Sequence, residues 1–427
     1  MGLPSMPVLL VLLVSACYDI FINLSTPIII AFSRRKDDMS QSAFLVAVVS
    51  LQNLGFNLVH PVTPAFIAAT GMQDWIFGVS YAAMALTSFL FSKGAGELCM
   101  RFESRYVFAV GCMGYAAAQL MFLASTSEAQ VIAWRLFSGF FVAMINVSSL
   151  VYLVRMSAGD KRARSLIHLA TATAVTTALG YTVGGIVGNE SYARAFLAQF
   201  AALAVAGLLL ALLGGDCGTE RVGIRRLLRD GNPLRLGSAD FRVRRRIVAY
   251  LAVVLISMSA LTVYEQSLNY YLKDILDFSP ADIGCLKGAI GAVTLVSNQV
   301  FALRLMRRAR LLRHIGVVFA LASFVNLLFA AVGGGPAFTA LNLVFTVFNA
   351  MHLPMVQELV TSADEAHQDE LVSLYNEMRS VGWVVGGLVA GLAYAVWPPL
   401  PFAITVVLFA GLAGLCLYGD RLQRVYQ

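Results

Sequence analysis

Long apolar blocks separated by short polar segments run the length of this chain, and almost every charge is confined to the segments between blocks. A helix needs about 20 apolar residues to cross about 30 Å of hydrocarbon. On that rule the blocks predict spans at 7–32, 43–67, 75–92, 106–124, 131–154, 166–187 and 195–213. After a polar linker come 247–271, 283–302, 315–332, 337–360, 371–396 and 402–418. The pattern is seven spans, then six, and it describes an all-α membrane protein.

Composition supports the pattern. The 427 residues are 59% hydrophobic and 13% charged, about half the charge content of a soluble globular domain. That balance argues against soluble catalysis and against nucleic-acid binding. The net charge of +7 follows from topology, because Lys and Arg accumulate on the cytoplasmic side of membrane proteins. Alternate loops receive Arg34 to Lys36, then Lys93, Arg101 and Arg105, then Arg155 to Arg164, nine arginines from Arg221 to Arg246, Arg304 to Arg313, and finally Arg421 and Arg424. The opposite side receives only Arg194 and Lys273. The expected topology is a multi-pass plasma (inner) membrane protein with its N-terminus outside and its C-terminus cytoplasmic. Arg135, Lys287 and Arg379 remain inside the membrane, where a charge needs a functional or structural partner.

Four segments follow: 1–40, an extra N-terminal transmembrane helix and basic loop; 41–213, a six-helix bundle; 214–246, a basic cytoplasmic linker; and 247–427, a second six-helix bundle. The first helix lacks a basic leader and ends in Ser33-Arg34-Arg35-Lys36, so it reads as a retained span, with its partner unknown. The linker suits a short amphipathic helix on lipid headgroups. The six cysteines show no CxxC spacing. With no metal-ligand cluster, phosphate loop or nucleophile–base set in view, neither an enzyme nor a cofactor is expected.

The halves share a repeat at a spacing of about 200 residues. The segment from Gly96 to Arg105 corresponds to Gln299 to Arg308, each between the second and third helix of a half. Gly180-Tyr181-Thr182-Val183-Gly184-Gly185 corresponds to Gly382-Trp383-Val384-Val385-Gly386-Gly387, each on a fifth helix. With these landmarks the chain resembles the major facilitator superfamily over 43–418, which implies two six-helix halves around a central pathway. The loop at Gly96 is similar to that family's G-x-L-x-D-R-x-G-R-R, keeping Gly96, Leu98, Arg101 and Arg105. Met100 stands where the Asp is expected, with Glu97 or Glu103 as substitute carboxylates. Arg135-Leu136-Phe137-Ser138-Gly139 resembles the fourth-helix R-x-x-Q-G of proton-coupled members, and Gly180 to Gly185 the fifth-helix G-P-x-x-G-G of drug antiporters, with Tyr181 for Pro. The resemblance implies gating roles for Gly96, Arg101, Arg105, Gly180, Gly184 and Gly185, and for Arg304, Gly382 and Gly386 in the second copy. The same glycines also suit ordinary close helix packing.

Polar residues stranded in the spans are the candidates for chemistry. At about 1.5 Å per residue, Glu265 lies about 9 Å from the outer end of its helix, Arg135 and Lys287 about 6 Å and His60 about 10 Å, one shared outer layer. Glu265 reads as a proton carrier whose charge is tuned by Arg135 or Lys287, or as one side of a static outer-gate pair. His60 titrates near neutrality or is simply hydrogen-bonded. Nearer the cytoplasm, Glu377, Arg379 and His352 form a second layer with a shallower Glu358, read as a proton site at Glu377 or an inner-gate network. Between the layers, Gln52, Asn53, Asn57, Asn146, Tyr264, Asn349 and His352 offer hydrogen bonds, and Trp134, Phe137, Phe141 and Phe345 an apolar wall. That mixture suits a small amphipathic organic solute. Three functions stay open: proton-coupled export of such a compound, uptake of a small organic anion, and a non-transporting sensor or lipid-handling role on a transporter scaffold.

Overall fold

In the computed structural model the described residues, 41–156, 160–216, 245–306, 310–329, 335–364 and 368–425, are helical almost throughout, with no strand among them. The expected first span at 7–32 and most of the linker lie outside the described residues. We number the helices α1 (Gln41–Asn57), α2 (Thr63–Ala69), α3 (Trp75–Arg101), α4 (Ser104–Leu123), α5 (Glu128–Met156), α6 (Asp160–Glu190), α7 (Tyr192–Leu213) and α8 (Arg245–Asp274). After these come α9 (Pro280–Ser297), α10 (Leu303–Met306), α11 (Leu311–Leu328), α12 (Gly335–Thr361), α13 (Gln368–Val396) and α14 (Leu400–Val425). Eleven helices among the described residues are long and apolar enough to cross a membrane.

The expected span 43–67 is interrupted. Pro61 has no N–H to continue a helical ladder, and α1 gives way to a turn at Leu58–Val62 before α2 restarts at Thr63-Pro64. The segment at Gly96, expected as a loop, is the last turn of α3. Ala95 and Cys99 are buried there, and the chain breaks only where Phe102 N–H reaches back to Leu98 and Glu103 turns extended. Its counterpart is a single π-helical turn, Asn298–Ala302, running into α10.

The described residues gather into two compact units. The first comprises 41–70, 87–216 and 279–285; the second comprises 71–86, 245–278 and 286–425. In the first, α1 packs on α6 and α7, and α4 packs on α5 and α7. In the second, α8 packs on α13 and α14, and α11 on α12 and α14. These are corresponding pairs in the two halves, so the duplication seen in sequence is also a duplication of packing. Each unit is completed by the opening turns of the second helix of the other half, α9 in the first and α3 in the second.

Two glycine positions make this possible, because lipid supplies no hydrophobic drive between helices and close approach must supply contact instead. A Cβ at Gly185 of α6 would stand 2.3 Å from the Pro280 carbonyl oxygen and 2.9 Å from Gly284 of α9. In the second unit, a Cβ at Gly78 of α3 would stand 2.4 Å from the Gly391 nitrogen of α13. Both crossings are backbone on backbone.

Candidate functional site

In the second unit Glu265 is the exposed residue of an otherwise buried stretch of α8, with Leu261 to Tyr264 before it and Gln266 to Tyr270 after it all withdrawn from solvent. Lys287, about two turns into α9, is 9% exposed, and its charge and that of Glu265 act directly on each other. Tyr81 of α3 lies in the field of both Glu265 and Arg379. This unit thus holds, on α3, α8, α9 and α13, three charged groups, Lys287, Glu265 and Arg379, with the neutral Tyr81 hydroxyl in the field of the last two. Tyr81 was not among the residues expected from sequence; the signal was its place on a second helix, three residues beyond Gly78.

Arg135 has different company. Its guanidinium lies 4.3 Å from the centre of the Phe122 ring and donates to the Tyr115 hydroxyl. Tyr115 stacks at 4.8 Å on Phe56, which lies 5.8 Å from the ring of His60; His60 in turn meets Tyr181 edge-on at 5.6 Å. Arg135 and Tyr181 therefore terminate one chain of ring contacts, with His60 inside it, across α5, α4, α1 and α6 of the first unit. The shared depth expected of Glu265, Arg135 and Lys287 hides this division: Glu265 and Lys287 interact in the second unit, and Arg135 has a tyrosine in the first. Glu377 is half-buried on α13.

The expected binding wall is also divided. Asn53 gives its amide to the Thr173 carbonyl at 2.8 Å and to the hydroxyls of Thr176 and Thr177 at 3.1 and 2.7 Å, and Asn57 donates to the Asn53 carbonyl at 2.7 Å. These amides close the seam between α1 and α6. Gln52 is buried, and Asn146 is exposed. Trp134, Phe137 and Phe141 form an edge-to-face ladder with spacings of 6.1 and 5.0 Å, and Phe137 is half-exposed. Tyr264, Phe345 and His352, expected on the wall, are core residues instead. Tyr264 packs 4.2 Å from Phe345 and accepts from Asn342, and the fully buried His352 lies 5.3 Å from Phe319 and 5.8 Å from Phe409. Asn349 beside them is 9% exposed. Asn342 escaped the sequence reading, although an amide seven residues before Asn349 on an apolar helix marked the same face.

Of the expected gating residues, Arg105 forms an ion pair with Glu103, one of the two carboxylates expected to stand in for the missing Asp, and donates to the Gly214 carbonyl at 2.7 Å. Arg101 lies 5.5 Å from the Phe102 ring, and Gly96 has open space, its added Cβ meeting nothing nearer than Val147 at 3.9 Å. Arg304 and Glu358 are exposed. Arg379 stacks at 4.8 Å over Trp383, and its buried Nε has no hydrogen-bond partner. Gly180 and Gly184 face the backbone of Leu54 and Leu58, while Gly382 and Gly386 face α8 at Met258, Ser259 and Thr262.

At the end of the second unit nearest Asp74, two tyrosines reach carboxylates. Tyr270 donates to Asp74, Tyr394 donates to Asp274 at 2.8 Å, and the two rings meet at right angles 5.1 Å apart. Beyond the helix end, Lys273 pairs with Asp277 at 2.6 Å and holds that exposed carboxyl below the usual carboxylate range. Among the described residues no group of His, Cys, Asp and Glu is arranged to hold a metal ion.

Residues 42–387 match the model of the Major Facilitator Superfamily. Multidrug resistance protein 1 of Bacillus subtilis (strain 168) is 23% identical over 375 residues, 84% of this chain and 91% of that protein. The class C tetracycline resistance protein of Escherichia coli is 26% identical over 385 residues, 86% and 93% of the two chains. Among solved structures, the nucleoside transporter NupG superposes with a TM-score of 0.63 at 13% identity, covering 91% of this chain and all of that one. The human organic anion transporter MFSD10 gives 0.60 at 17%, covering 88% and 99%. At these identities the superpositions establish the fold.

Proposed function

The chain belongs to the major facilitator superfamily of membrane transporters, and from that premise we propose that it exports a small amphipathic organic compound in exchange for protons. The observation that carries this reading is the Glu265 carboxylate, exposed on an otherwise buried stretch of α8 and in the electrostatic field of the buried Lys287. A carboxylate that water reaches can load and release a proton, and a fixed cation beside it makes the two states differ in their electrostatic hold on neighbouring helices. Loading a proton removes the attraction to Lys287; release restores it. Alternating access supplies the exchange of exposure. The wall at Trp134, Phe137 and Phe141 offers aromatic area for an apolar body. That two relatives are a multidrug resistance protein and a tetracycline resistance protein favours export over uptake.

Everted membrane vesicles containing the protein test this. With an acid interior, tetracycline or ethidium should accumulate inside, and adding either should alkalinise the lumen. Accumulation that ignores the proton gradient would remove the coupling. A second reading, uptake of a small organic anion, draws on Arg379, whose unpartnered Nε and stacked guanidinium suit a planar carboxylate. Vesicles of the opposite orientation that accumulate an aromatic carboxylate would favour it. No flux of any probe in either orientation leaves the sensor or lipid-handling role.

A further inference from the structure

One face of α11 carries two kinds of residue in succession. Arg310, Arg313 and His314 occupy its start, and Val317, Val318 and Leu321 continue at the three- and four-residue spacings of a single helical stripe. With Phe348 and Met351 of α12 they line a cavity of about 440 Å³ inside the second unit. Arg310 and Arg313 are exposed, and neither forms an ion pair with a described residue. The Nδ1 atom of His314 is buried without a hydrogen-bond partner. Arg310 has φ 71°, a left-handed conformation that an L side chain rarely adopts, at the residue that opens the helix. Farther along, Val317 and Leu321 are 43% and 40% exposed on a helix long and apolar enough to cross the membrane.

The cavity therefore has a cationic end and an apolar end in line along a membrane helix. Two guanidinium groups present paired N–H donors that match phosphate oxygens. The apolar continuation from Val317 to Leu321, about one turn or roughly 6 Å at 1.5 Å per residue, together with Phe348 and Met351 gives a hydrocarbon chain a surface to cover and a compact anion nothing to bind. The chain's basic residues cluster at this end of α11, from Arg304 to Arg313, which the distribution of Lys and Arg assigns to the cytoplasmic leaflet, where anionic lipids attract such clusters. We propose that this cavity holds one anionic phospholipid, its phosphate on Arg310 and Arg313 and an acyl chain along Val317 and Leu321.

The test uses the full chain purified in a neutral detergent and titrated with phosphatidylglycerol, with phosphatidylcholine of the same acyl chains, and with inorganic phosphate, reading the melting temperature and lipid retention by native mass spectrometry. Phosphatidylglycerol should raise the melting temperature and stay bound, while the other two at equal concentration should do neither. Replacing Arg310→Gln together with Arg313→Gln should weaken phosphatidylglycerol at least tenfold, and the Arg→Lys pair should keep most of its affinity. Val317→Trp, which fills the apolar end from an exposed position and leaves the bases in place, should weaken it as well and guards against a glutamine pair that fails to fold. Equal effects of the two lipids, equal effects of phosphate and phosphatidylglycerol, or wild-type affinity in the Val317→Trp protein would each overturn the proposal.

Discussion

Tyr270 of α8 donates its hydroxyl to Asp74 at the start of α3, directly above the point where Gly78 and Gly391 bring α3 and α13 into backbone contact. The bond and the crossing hold the same short segment, 71–86, within the second unit. Tyr270→Phe removes the bond and leaves an exposed carboxylate that water can solvate, so the loss in stability should be about 1 kcal/mol or less. Gly78→Ala forces two backbones apart and should do more. In both proteins a cysteine placed at Gln266, which borders the small cavity beside Tyr270 and Gly391, should react faster with a membrane-impermeant maleimide than in the parent. Unchanged labelling in Gly78→Ala would mean the crossing does not hold this segment.

Glu265 and Lys287 make a second testable pair. Removing one charge of a pair leaves the buried partner uncompensated, which is worse than removing both. Glu265→Gln should abolish proton-driven transport and lower the melting temperature, because Lys287 is the more buried member. Adding Lys287→Gln should restore part of the melting temperature and none of the coupling. A double variant less stable than Glu265→Gln would show that Lys287 is held chiefly by other groups, and transport with normal proton coupling in Glu265→Gln would pass the carrier role to Glu377.

Eleven of the thirteen expected spans and the duplication were legible in the sequence because apolar length and glycine spacing are local signals. What a sequence conceals is direction around the helix axis. A transmembrane helix apolar on every side has no stripe to say which face meets protein, and so Tyr264, Phe345 and His352 read as wall while they pack in the core. Depth likewise fixes height and leaves azimuth open, so it could not say that Arg135 turns toward Tyr115 and Phe122 within its own unit. The break at Leu58–Val62 was written in Pro61 and Pro64, but the apolar block around them masked it.

The aromatic setting of Arg135 predicts independence from Glu265. Tyr115→Phe removes the hydroxyl that accepts from Arg135 and should cost about 1 kcal/mol. Arg135→Ala should cost more, since it also empties the position over Phe122. Because Tyr115 and Glu265 act on different partners, Arg135 and Gln119 for one and Lys287 for the other, the stability changes of Tyr115→Phe and Glu265→Gln should add to within about 0.5 kcal/mol. Chemical denaturation of the two single variants and the double variant decides it: a coupling above about 1 kcal/mol would return Arg135 to the neighbourhood of Glu265.

Two glycines expected in gating should part company when alanine replaces them. At Gly184 the new methyl would stand 1.9 Å from the Leu58 carbonyl oxygen and 2.5 Å from the Leu58 Cα, both backbone atoms that no side-chain rotation can clear. The seam between α1 and α6 must open to admit it, and the Asn53 bonds to Thr173, Thr176 and Thr177 lie on that seam. Gly184→Ala should therefore reduce the yield of monodisperse protein severely. At Gly96 the same methyl meets only Val147, at 3.9 Å, an ordinary contact, and alanine is the better helix former in the last turn of α3. Gly96→Ala should express normally and melt at or slightly above the parent temperature. Its transport rate then separates packing from gating: an unchanged rate assigns Gly96 no role beyond fitting its helix, and a rate lost in a protein of parental stability would show that this position is used only while the transporter changes state.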